Sequence, residues 1–155
     1  MTEKKEIFEN LVQQVGEIID KSKKRDASLQ EICDLLYWEV DYFDWVGFYL
    51  VDPAKPRELV LGPFTGEPTD HVRIPFGRGI CGQAAEREET FVIQDVTKET
   101  NYLSCSIRVK SEIVVPIFKN GGIIGELDID SHQVSPFSEM DQEYLEKMCE
   151  LIAGI

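Results

Sequence analysis

The sequence predicts an α+β fold, a central antiparallel sheet with N- and C-terminal helices packed on one side. Three observations carry that prediction. Apolar residues recur at helical spacing before Asp44 and after Ser138, while the stretch between them carries short runs rich in aromatic and β-branched residues. Two of those runs flank Asn120-Gly121, the strongest short-range hairpin signal, because a type I′ turn needs two residues at positive φ. Helices bracket the block of strands and do not alternate with single strands, which is the α+β order.

From about Glu6 to Asp20, the residues Ile7, Phe8, Leu11, Val12, Val15, Ile18 and Ile19 form one apolar stripe of a first helix. The segment KSKKRDA reads as a solvated connector. Ser28 and Glu31 then read as a capping box opening a second helix through Leu29, Ile32, Cys33 and Leu36, with Cys33 on its apolar face. After Asp44 the period changes. Trp45 to Val51 and Glu58 to Phe64 read as a hairpin around the turn-like DPAKPRE, and Val72 to Ile74 as a short third strand. GRGICGQAAERE reads as a loop entering a short helix. Phe91 to Ile93, Glu112 to Phe118 and Ile123 to Ile129 complete the strands. Ser138 caps a last helix whose Met140, Tyr144, Leu145, Met148, Leu151 and Ile152 repeat helically, with Cys149 packing among them.

The chain has 155 residues, close to one domain's worth, and shows no repeat, low-complexity tract or linker, so one domain over residues 1–155 is expected. With 29 Asp+Glu against 16 Lys+Arg the formal charge is −13, which counts against nucleic acid and anionic membranes as partners. The N-terminus MTEKKEIFENLVQQVG has no signal-peptide pattern and no window is apolar enough to span a membrane, so a soluble, cytoplasmic protein is expected. Cys33, Cys81, Cys105 and Cys149 are widely spaced, form no CxxC pair and match no zinc pattern. In a reducing compartment they read as free thiols.

Two of these thiols are open to a chemical reading. Cys81 lies in Gly79-Ile80-Cys81-Gly82 at a helix start, where the dipole favours a thiolate, and Cys105 lies in an aperiodic segment near Arg108 and Lys110. For each, a packing role is the competing reading. Asp128 and Asp130 share one face of a strand, and counting outward from Asn120-Gly121 places Glu112 near Ile129, within reach of both. Converging carboxylates raise at least one pKa, giving either an acid or a site for an ammonium group or a metal. A solvated acidic strand end is the bland alternative, and the sequence lacks a complete EF-hand loop. His71 and His132 fall in no ligand pattern. Trp45 and Tyr49, four apart on one strand face, form either core or an aromatic wall.

Five segments together resemble the free methionine-R-sulfoxide reductases, which are GAF-domain enzymes. They are Asp44-Trp45-Val46-Gly47-Phe48-Tyr49, the run from Leu59 to Gly66, the run from Val72 to Gly82, Ser111 to Ile117, and Gly125 to Ser131. The resemblance implies a GAF-like fold and reduction of free methionine sulfoxide. It places Cys105 as nucleophile, assigns Glu112, Asp128 and Asp130 to sulfoxide activation and ammonium binding, and sets Trp45 and Tyr49 as pocket walls, with Trp45 near the S-methyl group. It further implies a Cys105 sulfenic acid resolved to a disulfide, a thioredoxin-like reductant, no cofactor and no metal, and a homodimer. The chain departs from the family at Gly66-Glu67-Pro68-Thr69-Asp70-His71, where members typically carry a cysteine. Tyr102-Leu103-Ser104-Cys105-Ser106 also differs from the usual H-I-A-C-D. Cys81 or a small thiol would then resolve the sulfenic acid. The alternative is a non-catalytic GAF small-molecule-binding or sensor domain.

Overall fold

The structure, a computed structural model, describes residues 2–21, 24–104 and 106–155. Helices α1 (Thr2–Ile19) and α2 (Arg25–Glu39) precede strands β1 (Trp45–Asp52), β2 (Lys55–Thr65) and β3 (Arg73–Pro75). Helix α3 (Gly79–Arg87), β4 (Phe91–Ile93), a 3-10 turn at Val96–Lys98, β5 (Ser111–Lys119), β6 (Gly122–Ser131) and α4 (Glu139–Ile152) follow. The six strands form one antiparallel sheet in the order β3-β2-β1-β6-β5-β4. The α+β class and the helix positions agree with the sequence reading.

One sheet face packs on α1, α2 and α4. Phe8, Leu11 and Val15 of α1 and Leu145, Met148 and Ile152 of α4 bury there with Val46, Phe48, Ile113, Val115, Leu127 and Ile129. Those strand residues sit at alternate positions, so the remaining positions of β1, β5 and β6 face the other way. That second face is covered by α3 and packs Trp45, Tyr49, Ile80, Cys81 and Val114. Helix α4 opens with the expected cap: Ser138 and Asp141 form a capping box, and Asp141 also receives Lys4 Nζ at 2.6 Å and the Tyr42 hydroxyl at 2.5 Å. The terminal helices are thereby tied together, with the Phe8 and Tyr144 rings stacked 5.9 Å apart.

Two expectations are corrected. Ser28 and Glu31 do not open α2. The helix starts at Arg25, the Ser28 amide already donates to the Lys24 carbonyl at 3.1 Å, and Ser28 is buried. An S-x-x-E spacing also fits a helix interior, and Asp26 in the first turn satisfies the dipole. The second correction concerns register. Around the tight turn Asn120 (φ 54°) and Gly121 (φ 81°) take the positive φ values expected of them, and Lys119 pairs with Gly122. A bulge then leaves Ile124 unpaired, so Ile117 faces Gly125 and Glu112 faces Asp130 instead of Ile129. A one-residue slip turns a strand's side chains over. The bulge therefore sets Glu112 on the same face as Asp128 and Asp130.

Candidate active site

The second sheet face collects the acidic and aromatic residues singled out in the sequence. Asp130 lies between Trp45 of β1 and Glu112 of β5, directly opposite both, while Asp128 lies between Gly47 and Val114. Cys81, near the start of α3, covers this row, its thiol donating to Glu112 Oε2 at 3.8 Å. Cys81, Glu112, Asp128 and Asp130 are 4%, 6%, 4% and 4% exposed, so three carboxyl groups share a nearly dry space.

Burial, the main cause, pushes Asp128 above the ordinary carboxylate range; contacts with Glu112 and Cys81 oppose it only in part. Asp130 is raised well above that range by burial and by the neighbouring Asp128. Within the row, burial and mutual repulsion both favour the protonated carboxyl form. Cys81 is corrected against the expectation of a thiolate. Burial, then the charges of Asp128, Glu126 and Glu112, raise its pKa well above that of an ordinary thiol, and three nearby acids outweigh the start of one short helix.

Glu126 was absent from the sequence reading as a site residue. It lies on the same strand face as Asp128 and Asp130, opposite Tyr49, and is fully buried. Its position two residues before Asp128 was the signal that would have found it.

Trp45 is fixed by its neighbours. Its indole N–H donates to the Glu67 carbonyl at 2.9 Å, and its ring stacks 5.4 Å from Phe64 and 6.5 Å from Tyr49. Gly47 and Gly66 make room for it. A Cβ on Gly47 would strike the indole, and one on Gly66, which has φ 131°, would lie 2.6 Å from Trp45 Cδ1. The Tyr49 hydroxyl donates to the His71 carbonyl at 2.8 Å. Both aromatics are thus core residues and pocket walls at once. A cavity of about 160 Å³ reaches Trp45, Asp130, Ser106 and Arg108. A second, of about 10 Å³, lies among Tyr49, Cys81, Glu112 and Asp128, with room for about one water.

Cys105 lies outside the described residues. The chain on either side is held: the Ser104 carbonyl contacts His71 Nε2 at 3.0 Å, and the Arg108 amide donates to Ser106 Oγ at 3.2 Å. Asn101 anchors the approach to this segment, its Oδ1 accepting from the Gly79 amide at 2.8 Å and its carbonyl accepting from Gln83 Nε2 at 2.9 Å. Arg108 pairs with Glu67, and His132 approaches Asp44. Neither Asn101 nor the His71 contact was visible as a site feature in the sequence. Cys33 and Cys149 are buried in the helix-side core, as expected of packing thiols; burial raises both. Among the described residues no helix is long and apolar enough to cross a membrane.

The GAF domain family model matches residues 22–155. The chain is 42% identical to GAF domain-containing protein A of Dictyostelium discoideum, over 96% of this chain and 92% of that protein. It is 36% identical to the free methionine-R-sulfoxide reductase of Saccharomyces cerevisiae, covering 96% of this chain and 85% of the yeast protein. The crystal structure of free methionine-R-sulfoxide reductase from Neisseria meningitidis in complex with its substrate superposes with a TM-score of 0.91 at 38% identity, covering 97% of this chain and 89% of that one. On this fold and these relatives, the chain belongs to the GAF-domain family of the free methionine-R-sulfoxide reductases.

Proposed function

We propose that the protein, a single GAF domain over residues 1–155, reduces free L-methionine-R-sulfoxide to methionine with Cys105 as its nucleophile. The observation that carries this reading is the row of buried carboxyl groups beside Trp45 and Tyr49, whose Asp130 lines, with Trp45, the cavity that Ser106 also lines. Relatives that carry the reductase name support it.

Sulfoxide oxygen leaves sulfur only when it is protonated, so the reaction needs an acid that still holds its proton at neutral pH. Asp128 and Asp130, both raised by burial, are the groups suited to that role. The Cys105 sulfur attacks the sulfoxide sulfur and forms an S–S bond as the protonated oxygen leaves as water. A water then attacks the Cys105 sulfur, the S–S bonding pair returns to the methionine sulfur, and methionine departs with Cys105 left as a sulfenic acid. Glu112 and the carboxylates of the row that remain ionised hold the substrate ammonium group, and Trp45 packs against the S-methyl group.

A thiol then condenses with the sulfenic acid, releasing water and forming a disulfide, which a dithiol of the thioredoxin class reduces. Cys81 is the resolving thiol within the chain; its high pKa makes a small external thiol the faster partner. The protein works in the cytoplasm as a homodimer joined through its N-terminal helices, where Ile7 and Trp38 are exposed.

The test is an epimer-resolved assay with dithiothreitol. Methionine released from the R-sulfoxide, with the S-sulfoxide spared, is the expected result. Thermal stabilisation by methionine without turnover of either epimer would instead favour a small-molecule sensor, the reading prompted by the cysteine missing near Asp70.

A further inference from the structure

We propose that Cys81, Glu112 and Asp128 form a site for one thiophilic divalent cation of the zinc class, which closes the reductase site reversibly. One ligand atom from each residue, a thiol sulfur and two carboxylate oxygens, lies within 4.8 Å of the others, and all three side chains are buried. Tetrahedral zinc binds sulfur at about 2.3 Å and carboxylate oxygen at about 2.0–2.2 Å, which sets neighbouring S and O ligands about 3.5 Å apart. The Cys81 sulfur and Glu112 Oε2 are already 3.8 Å apart, so the triad needs only a small contraction. The ligands come from α3, β5 and β6, three elements packed against one another, and the cavity of about 10 Å³ beside them has room for a water as fourth ligand.

A second, independent observation points to a cation here. Glu126 is fully buried with the Cys81 thiol as its one hydrogen-bonding neighbour among the described residues, and Asp128 Oδ1 is buried with no hydrogen-bond partner among them. Glu126 takes a hydrogen bond from Cys81 and feels the charge of Asp128, so it adds a further acidic group beside the triad. Buried polar atoms left without partners call for an explanation, and a bound cation supplies one. The mixed donor set selects the ion: calcium takes six to eight oxygen ligands and magnesium keeps its waters, whereas one thiolate with two carboxylates suits zinc. The ion also reverses the local electrostatics, because a cation makes the Cys81 thiolate the stable form.

Occupancy removes Glu112 and Asp128 from substrate and ties up Cys81, so the bound ion silences turnover. This second half rests on the function proposed above; the binding does not. The test is an anaerobic titration of the reduced full chain with Co²⁺, followed by displacement with Zn²⁺. One ion per chain is expected, with a thiolate-to-cobalt charge-transfer band that is lost in Cys81→Ser and kept in Cys105→Ser. Glu112→Gln, which leaves the thiol intact, should weaken binding about tenfold or more. The site is overturned if no band forms, if the band survives Cys81→Ser or vanishes in Cys105→Ser, or if Glu112→Gln leaves affinity unchanged. Zinc should abolish turnover and a chelator should restore it. Full turnover at saturating zinc overturns the inhibition, whereas a metal-free protein with no turnover refutes the reductase reading and leaves the site standing.

Discussion

Glu112 stands directly opposite Asp130 across the β5–β6 pair, on the face that also carries Asp128 and Trp45. The bulge at Ile124 creates this relationship, for an unbroken hairpin would set Glu112 against Ile129 and turn it toward the helices. A single unpaired residue therefore assembles the acidic row.

The row predicts a division between activity and stability. Asp128→Asn should lower kcat/KM for methionine sulfoxide by about 10²–10⁴-fold, the usual worth of a positioned acid. Because burial disfavours the ionised form of Asp128, replacing its carboxyl group with a neutral amide should leave the melting temperature unchanged or higher. Steady-state kinetics and thermal unfolding of the same variant check both halves.

Glu126 predicts a pH dependence of stability. Burial and Asp128 raise its folded pKa well above the ordinary 4.5, so above pH 4.5 the folded state binds more protons than the unfolded chain. Stability from this group is therefore full below that value and falls as pH rises through the folded pKa. Asp128 and Asp130, raised above 3.8, act in the same direction. Glu126→Leu should flatten the alkaline side of a urea-denaturation profile and add about 1–3 kcal/mol there, the cost of a buried polar group left incompletely hydrogen-bonded. An unchanged profile would count against the burial of this carboxyl group.

Trp45→Phe keeps the aromatic face but loses the indole bond to the Glu67 carbonyl. The expected stability loss is about 1 kcal/mol. The same change loosens a pocket wall, so KM should rise severalfold while kcat changes less.

Asn101→Ala removes the side chain that accepts from the Gly79 amide and joins the segment before Cys105 to α3. Misplacing a reacting group by about 1 Å can cost about 10²-fold, so kcat should fall about ten- to hundredfold. Circular dichroism should show the helices intact. Asp141→Ala is the contrasting variant, losing the capping box, Lys4 and Tyr42 together. It should cost about 2–4 kcal/mol of stability with kcat per folded molecule preserved.

Much of this architecture was legible in residue periodicity, and the exceptions have physical causes. Helix α4 was readable to its cap because the capping box is a local bond pattern between Ser138 and Asp141, and β4 matched from Phe91 to Ile93. The α2 start was misplaced because S-x-x-E records a spacing without saying whether Ser28 lies at a boundary or inside the helix. The bulge at Ile124 escaped because turn chemistry sets the pairing only next to the turn. Trp45, Tyr49, Asp128 and Asp130 could be placed on shared faces from strand alternation alone. The fate of Cys81 could not, because its titration depends on acids from two strands that only the folded sheet brings to α3. Asn101 was missed for a similar reason, since its bonds reach Gly77 and Gly79, more than twenty residues away.

Cys105 is expected to reduce the sulfoxide beside the acidic row. The most direct test is a single-turnover reaction of the fully reduced protein with free methionine-R-sulfoxide and no added reductant, with methionine and remaining thiols counted together. About one methionine per chain is expected from the wild type, with a sulfenic acid or disulfide at Cys105 by mass spectrometry, and no methionine from Cys105→Ser. Stoichiometric methionine from Cys105→Ser, or none from the wild type, would contradict that expectation.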